Sequence, residues 1–158
     1  MAIRKIMVYG KEDILLKKAK PVTKFDEKLH TLLDDMAETM YASEGVGLAA
    51  PQVAVTRRVV VIDIGEGLVE LINPEILETS GECKDAEGCL SVPGETYLVT
   101  RPTYAKVKAF DRNGNEFIIE GRDFMARALC HEIDHLDGII YVQRVEDKVA
   151  DRLFLQQQ

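Results

Sequence analysis

Histidine is scarce in this chain, three in 158 residues, and proline is scarce too, at five. So few prolines leave long stretches free to form helix and strand. With 46% apolar residues, there is material for the core of one ordinary domain. No apolar run reaches the roughly 20 residues that span a bilayer, and the opening "MAIRKIMVYG" has no apolar signal-peptide centre. Cys83, Cys89 and Cys130 are an odd number of cysteines, which favours reduced thiols over a disulfide framework. The expectation is therefore a cytoplasmic protein with no membrane association. A net charge of −7 speaks against general nucleic-acid binding. Repeats, low-complexity tracts and linkers are missing as well, so residues 1–158 are expected to form a single catalytic domain.

Two of the three histidines are placed close together, in His131-Glu132-Ile133-Asp134-His135. Four residues apart on a helix, both imidazoles lie on one face and can reach a single ion. Glu132 is rotated around the helix but stays close enough to act as a base on water. A solvated charged stretch with two incidental histidines is the plain alternative, and the spacing weighs against it.

Such a site needs a third ligand and an open position. In "HEIDHLDGIIY", Tyr141 stands where a metzincin protease has its third histidine, and no histidine follows. A thermolysin-like site would need a downstream glutamate, and Glu146 is the only one, with little chain left to position it. The search therefore turns upstream, to Cys89 in Glu87-Gly88-Cys89-Leu90-Ser91-Val92-Pro93. One thiolate and two imidazoles suit a borderline-soft metal with one corner free. The flanking glycine and Pro93 suggest an irregular turn whose N–H groups face a ligand. By itself, Cys89 would more often be a small buried hydrophobe.

A third segment, "GVGLAAPQ" (45–52), is apolar and small apart from one terminal amide. Its glycines allow close backbone approach to a ligand, and Gln52 offers an uncharged donor suited to an oxyanion. Read in isolation, it is more readily a tight loop packed by small side chains, with Gln52 capping a strand.

Taken together and in this order, "GVGLAAPQ", "EGCLS" and "HEIDH" resemble the three motifs of the peptide deformylases. Val-Pro after "EGCLS" and the absence of a long insertion look more like the bacterial first type. The resemblance implies small, mostly antiparallel sheets around a central HExxH helix. It implies Cys89, His131 and His135 as metal ligands and Glu132 as the acid–base group. Gln52 and the Leu90 N–H would hold the oxyanion, and Val46, Gly47 and Gly88 would meet an extended peptide. The substrate implied is the N-formyl-methionine of nascent proteins, with formate released. The implied cofactor is one Fe²⁺, with Ni²⁺, Co²⁺ or Zn²⁺ as substitutes.

Two positions depart from that pattern. Cys130 precedes the HExxH run where glutamine is frequent, and its side chain points about 100° away from His131. Thr96 stands where some first-type enzymes carry arginine. A basic C-terminal extension for ribosome docking is also missing from "EDKVADRLFLQQQ". Only transient ribosome proximity is expected, with Val149, Leu153 and Phe154 on a short helix packed against the domain.

Helical spacing back from His131 brings Ala128 and Phe124 to one side, as a pocket for methionine or as core. Arg127 shares that side, either at the pocket mouth or solvated. Residues 25–41 form an amphipathic helix, with Phe25, Leu29, Leu32, Leu33, Met36 and Met40 apolar and His30 on the solvated face. Strands are expected at 57–64, 68–74, 96–102 and 104–111, with Asn113-Gly114 turning into 116–121. Asp123 is positioned to cap a helix running to about Leu136. Strands clustered between two helices indicate α+β. A general metallopeptidase and a non-catalytic peptide binder are the alternative functions. Glu132 and Gln52 together argue against the binder, since binding alone needs neither.

Overall fold

The computed structural model describes residues 2–153. Its first helix, α1 (Glu27–Ala42), starts where the Asp26 side chain accepts the Leu29 N–H at 3.2 Å. Leu29, Leu33, Met36 and Met40 recur at helical spacing and are buried. They pack on Leu48, Val59, Val61 and Ile72. His30 is half-buried rather than solvated, because its Nε2 meets the Arg112 carbonyl at 2.8 Å.

The strands are β1 (Gly47–Ala49), β2 (Val59–Ile62), β3 (Val69–Ser80), β4 (Cys83–Cys89), β5 (Val92–Arg101), β6 (Tyr104–Phe110), β7 (Glu116–Arg122) and β8 (Arg152–Leu153). They form a five-stranded sheet in the order β1-β2-β3-β6-β7 and a three-stranded sheet in the order β4-β5-β8. All pairs of these strands are antiparallel. The α+β class expected from the sequence holds.

Differences in extent have local causes. β3 runs beyond 74 because its far half pairs with β6 through register shifts, as far as Ser80 opposite Tyr104. β4 was not anticipated, since most of its residues are exposed and none of them is a large apolar one. The turn at 113–114 does form: Asp111 Oδ1 accepts the Asn113 and Asn115 N–H groups, and Gly114 takes the positive φ of 84°.

The second helix, α2 (Phe124–Leu136), carries the HExxH run. Asp123 stands at its N-cap, but its side chain makes no cap bond, and its own N–H is tied to the Thr103 carbonyl. Ala126, Leu129, Ile133 and Leu136 face Val60, Ile62, Leu71, Ala105 and Val107 of the large sheet. The helix also packs against β5 of the small sheet. Gly138 ends it at φ 75°, where a Cβ would lie 2.4 Å from the Leu16 carbonyl oxygen. The expected C-terminal helix is absent among the described residues. The Asp147 side chain instead binds the Val149 and Ala150 N–H groups in a turn, and β8 pairs with Thr96 and Tyr97. Val149 is 89% exposed, while Phe154 lies outside the described residues.

Candidate active site

Cys89 ends β4 and pairs with Val92 across the two-residue turn Leu90-Ser91, just after a register shift between Glu87 and Cys89. The irregularity aims the thiol at α2: Cys89 Sγ lies 3.4 Å from His135 Nε2. One ligand atom each from Cys89, His131 and His135 falls within 4.8 Å of the others. His131 Nδ1 meets Glu87 Oε1 at 2.7 Å. A proton on Nδ1 satisfies that bond, which leaves Nε2 as the ligand atom.

The electrostatics suit a cation. Burial disfavours a charged His131, but Glu132, Cys89 and Glu87 outweigh burial and hold its pKa well above the usual value. The carboxylates of Glu87 and Glu132 beside it would likewise attract a divalent ion. Burial, with repulsion from His131 and Arg101, depresses the pKa of His135 and keeps it neutral, as a ligand must be. The donor set and its surroundings therefore fit a soft or borderline divalent metal.

Glu132 is 5% exposed, with Oε2 at 3.9 Å from His131 Nε2 and Oε1 buried without a hydrogen-bond partner. Burial pushes its carboxyl up to about 7, with His131 opposing. A group at that value exchanges protons readily in neutral solution. The close approach of β1 requires glycine there, since a Cβ on Gly47 would lie 2.5 Å from Glu132 Oε2.

Gln52 follows β1 in a single 3₁₀ turn and is 1% exposed. Its Oε1 accepts the Ala49 N–H at 2.9 Å, which fixes the amide orientation. Its Nε2 then lies 3.1 Å from Ser91 Oγ and 3.5 Å from Cys89 Sγ. The oxygen thus caps the backbone, as one of the two readings of this residue expects, while the nitrogen faces Ser91 and the cysteine.

The cleft in front of these groups holds about 450 Å³. Val46, Gly47, Gln52, Gly88, Cys89 and Leu90 line one side, with Phe124, Ala128, His131 and Glu132 from α2 on the other. His135 lies deeper, 1% exposed. Phe124 is half exposed at the mouth, whereas Ala128 belongs both to the cleft wall and to the core. Cys130 packs into the apolar core and takes no part in the cluster. Tyr141 holds its ring centroid 5.8 Å from that of His131, tilted by 32°, and donates its hydroxyl to the Glu95 carbonyl.

Arg127 is not solvated, and it stands among the residues that line the cleft. It is 6% exposed, and its guanidinium donates to Glu87 Oε2, the Val99 carbonyl and the Cys83 carbonyl. Sequence reasoning did not find Glu87, Arg101, Asp134 or Ser91. Glu87 accepts from Arg101, Arg127 and His131, and the bonds from His131 and Arg101 overcome burial to hold its pKa at about 2. Glu87 and Ser91 stand inside "EGCLS" and Asp134 inside "HEIDH", a signal that Arg101 lacks.

Three kinds of comparison agree on what this arrangement resembles. The family model described as polypeptide deformylase matches residues 3–151. Peptide deformylase 1 of Clostridium acetobutylicum is 57% identical over 151 residues, spanning 96% of this chain and 97% of that protein. The crystal structure of peptide deformylase from Thermotoga maritima superposes with a TM-score of 0.90 at 42% identity, covering 93% of this chain and 100% of that one. That from Legionella pneumophila gives 0.89 at 47% identity, over 92% and 87%.

Proposed function

The chain belongs to the polypeptide deformylase family, and we propose on that premise that it removes the formyl group from N-formyl-methionyl nascent peptides in a bacterial cytoplasm, releasing formate. The carrying observation is one thiol and two imidazoles converging beside a buried carboxyl whose pKa lies at about 7. We take residues 1–158 as one catalytic domain. No helix among the described residues is long and apolar enough to cross a membrane.

Cys89, His131 and His135 would hold the ion, with Fe²⁺ as the working metal and Ni²⁺, Co²⁺ or Zn²⁺ able to replace it. Bound there, a divalent ion acidifies water and polarises a carbonyl. Glu132 takes the proton of the attacking water and returns it to the amine as the C–N bond breaks. Gln52 Nε2 and the Leu90 N–H steady the negative charge that develops on the formyl oxygen, each such donor being worth about 3–4 kcal/mol. Val46, Gly47 and Gly88 offer backbone to an extended peptide, while Phe124 and Ala128 flank the methionine side chain.

The test is formate release from a formyl-methionyl peptide under nitrogen, with the products checked for internal cleavage. Formate without internal cleavage is expected. Internal cleavage would identify a general metallopeptidase, and binding without either product a peptide-binding module.

A further inference from the structure

Arg144 ends the 3₁₀ turn Tyr141–Arg144 that follows α2. Its side chain is 45% exposed and does not line the cleft. Even so, it is tied to the site by a chain of short bonds. Arg144 Nε donates to Asp134 Oδ2 at 2.6 Å and Nη2 to Oδ1 at 2.9 Å. Asp134 Oδ2 also accepts Arg101 Nη1 at 2.7 Å. Arg101, 3% exposed, turns its other edge to Glu87, with Nε to Oε2 at 2.9 Å and Nη2 to Oε1 at 3.0 Å. Glu87 Oε1 is the same atom that takes His131 Nδ1.

We propose that Arg144 is a positioning residue for His131, acting through Asp134, Arg101 and Glu87 to hold the imidazole in the orientation that metal binding requires. The inference rests on the reading of Cys89, His131 and His135 as the ligand set.

The reason lies in how one guanidinium is shared. Arg101 serves two buried carboxylates from opposite edges. Arg144 grips Asp134 with two N–H groups, so Asp134 needs only one from Arg101, and the paired edge stays on Glu87. Without Arg144, Asp134 is a buried anion with a single cation, an arrangement that is costly unless its partner moves closer. Arg101 is then drawn toward Asp134, Glu87 Oε1 loses part of its donor set, and its bond to His131 changes. Arg127 still holds Glu87 Oε2, so the outcome is a displaced histidine and not a lost one.

Partners outside a ligand set typically change metal affinity 10–100-fold when removed. Arg144 acts at a distance, so the low end, roughly tenfold, is expected. The competing account is that Arg144 only pins the chain after α2. That account predicts a lower Tm with no change at the metal.

The experiment titrates the full-length metal-free protein with Co²⁺ against a competing chelator and records the thiolate-to-cobalt absorption band. It compares wild type, Arg144→Met and Arg144→Lys, with circular dichroism to confirm that each is folded. Arg144→Met should bind Co²⁺ roughly tenfold more weakly and with a shifted band. Arg144→Lys, which keeps the charge but not the two-pronged grip, should fall between. Should Arg144→Met fail to fold, Arg144→Lys alone decides by the same two readouts. Wild type binding no Co²⁺, or binding it without a thiolate band, would overturn the ligand set itself. Normal wild-type binding with wild-type affinity and spectrum in the folded variants would overturn only the role given to Arg144.

Discussion

Helix α2 buries two faces that are held by different forces. Ala126, Leu129, Ile133 and Leu136 enter an apolar core against the five-stranded sheet. Arg127, His131 and Asp134 turn toward Glu87 and Arg101 of the three-stranded sheet. None of these seven helix residues is more than 9% exposed, so burial alone does not distinguish the faces. The apolar face depends on volume and tolerates any side chain of suitable size and shape. The polar face depends on partners, because each buried charge or lone pair is costly when left alone. One helix thus joins a forgiving half to an exacting half, and the candidate site sits in the second.

The contrast is broken most completely at Cys89. Cys89→Ala should abolish both metal binding and deformylation while leaving the apolar face intact. Metal analysis and a formate assay on one preparation test this, and full metal content with activity would refute the ligand set. Glu132→Ala comes next, with kcat reduced about 10²–10⁴-fold through the lost proton transfer. Metal content should stay normal, since Glu132 is not among the three converging ligands. A near-normal kcat would show that the base lies elsewhere.

Stability separates the faces directly. Arg101→Met removes the cation that Glu87 and Asp134 share, leaving Arg127 on the one and Arg144 on the other, and should cost about 3 kcal/mol. Ile133→Val trims one methylene from the opposite face and should cost only about 0.5–1.5 kcal/mol. Denaturant melts of the metal-free protein measure both. Equal losses would mean that the polar face is no more exacting than the core.

The same division explains what the sequence disclosed. Apolar residues at helical spacing marked α1, and the histidine spacing marked α2, because both signals are local. The partners of His131 are not local: Glu87 lies 44 residues away, and Arg101 stands 33 from Asp134 and 14 from Glu87. Nothing periodic connects such positions, so the network stayed hidden although Cys89 beside it did not. β4 was missed because it has almost no buried apolar side chain to reveal its alternation. The C-terminal turn was misread as helix because the Asp147 side chain captures the N–H groups that a helix would have used.

The smallest expected effect tests whether the contrast recurs on α1. Its apolar side, Leu29, Leu33, Met36 and Met40, contains no ionisable group. Beside it, Asp35 holds the incoming N-terminal segment: Oδ1 accepts the Ala2 N–H at 2.7 Å, and Oδ2 pairs with Arg4 at 2.8 Å. Burial acts to raise the Asp35 pKa, but the bonds from Arg4 and Ala2 prevail and hold it below the ordinary value. A carboxyl depressed in the folded state adds stability that is fully present above its unfolded pKa, about 3.9. That stability fades as pH falls through the lower folded value. Asp35→Asn should therefore lower the Tm modestly at pH 6, because Arg4 is one-third exposed and solvent screens the pair. The gap between wild type and variant should narrow once pH drops below about 4 and close further as Asp35 protonates. Melting both proteins from pH 6 to pH 2 gives the answer. A gap that stays constant over that range would show that Asp35 acts by shape and hydrogen bonding, and that charge plays no part in tethering the N-terminal segment to α1.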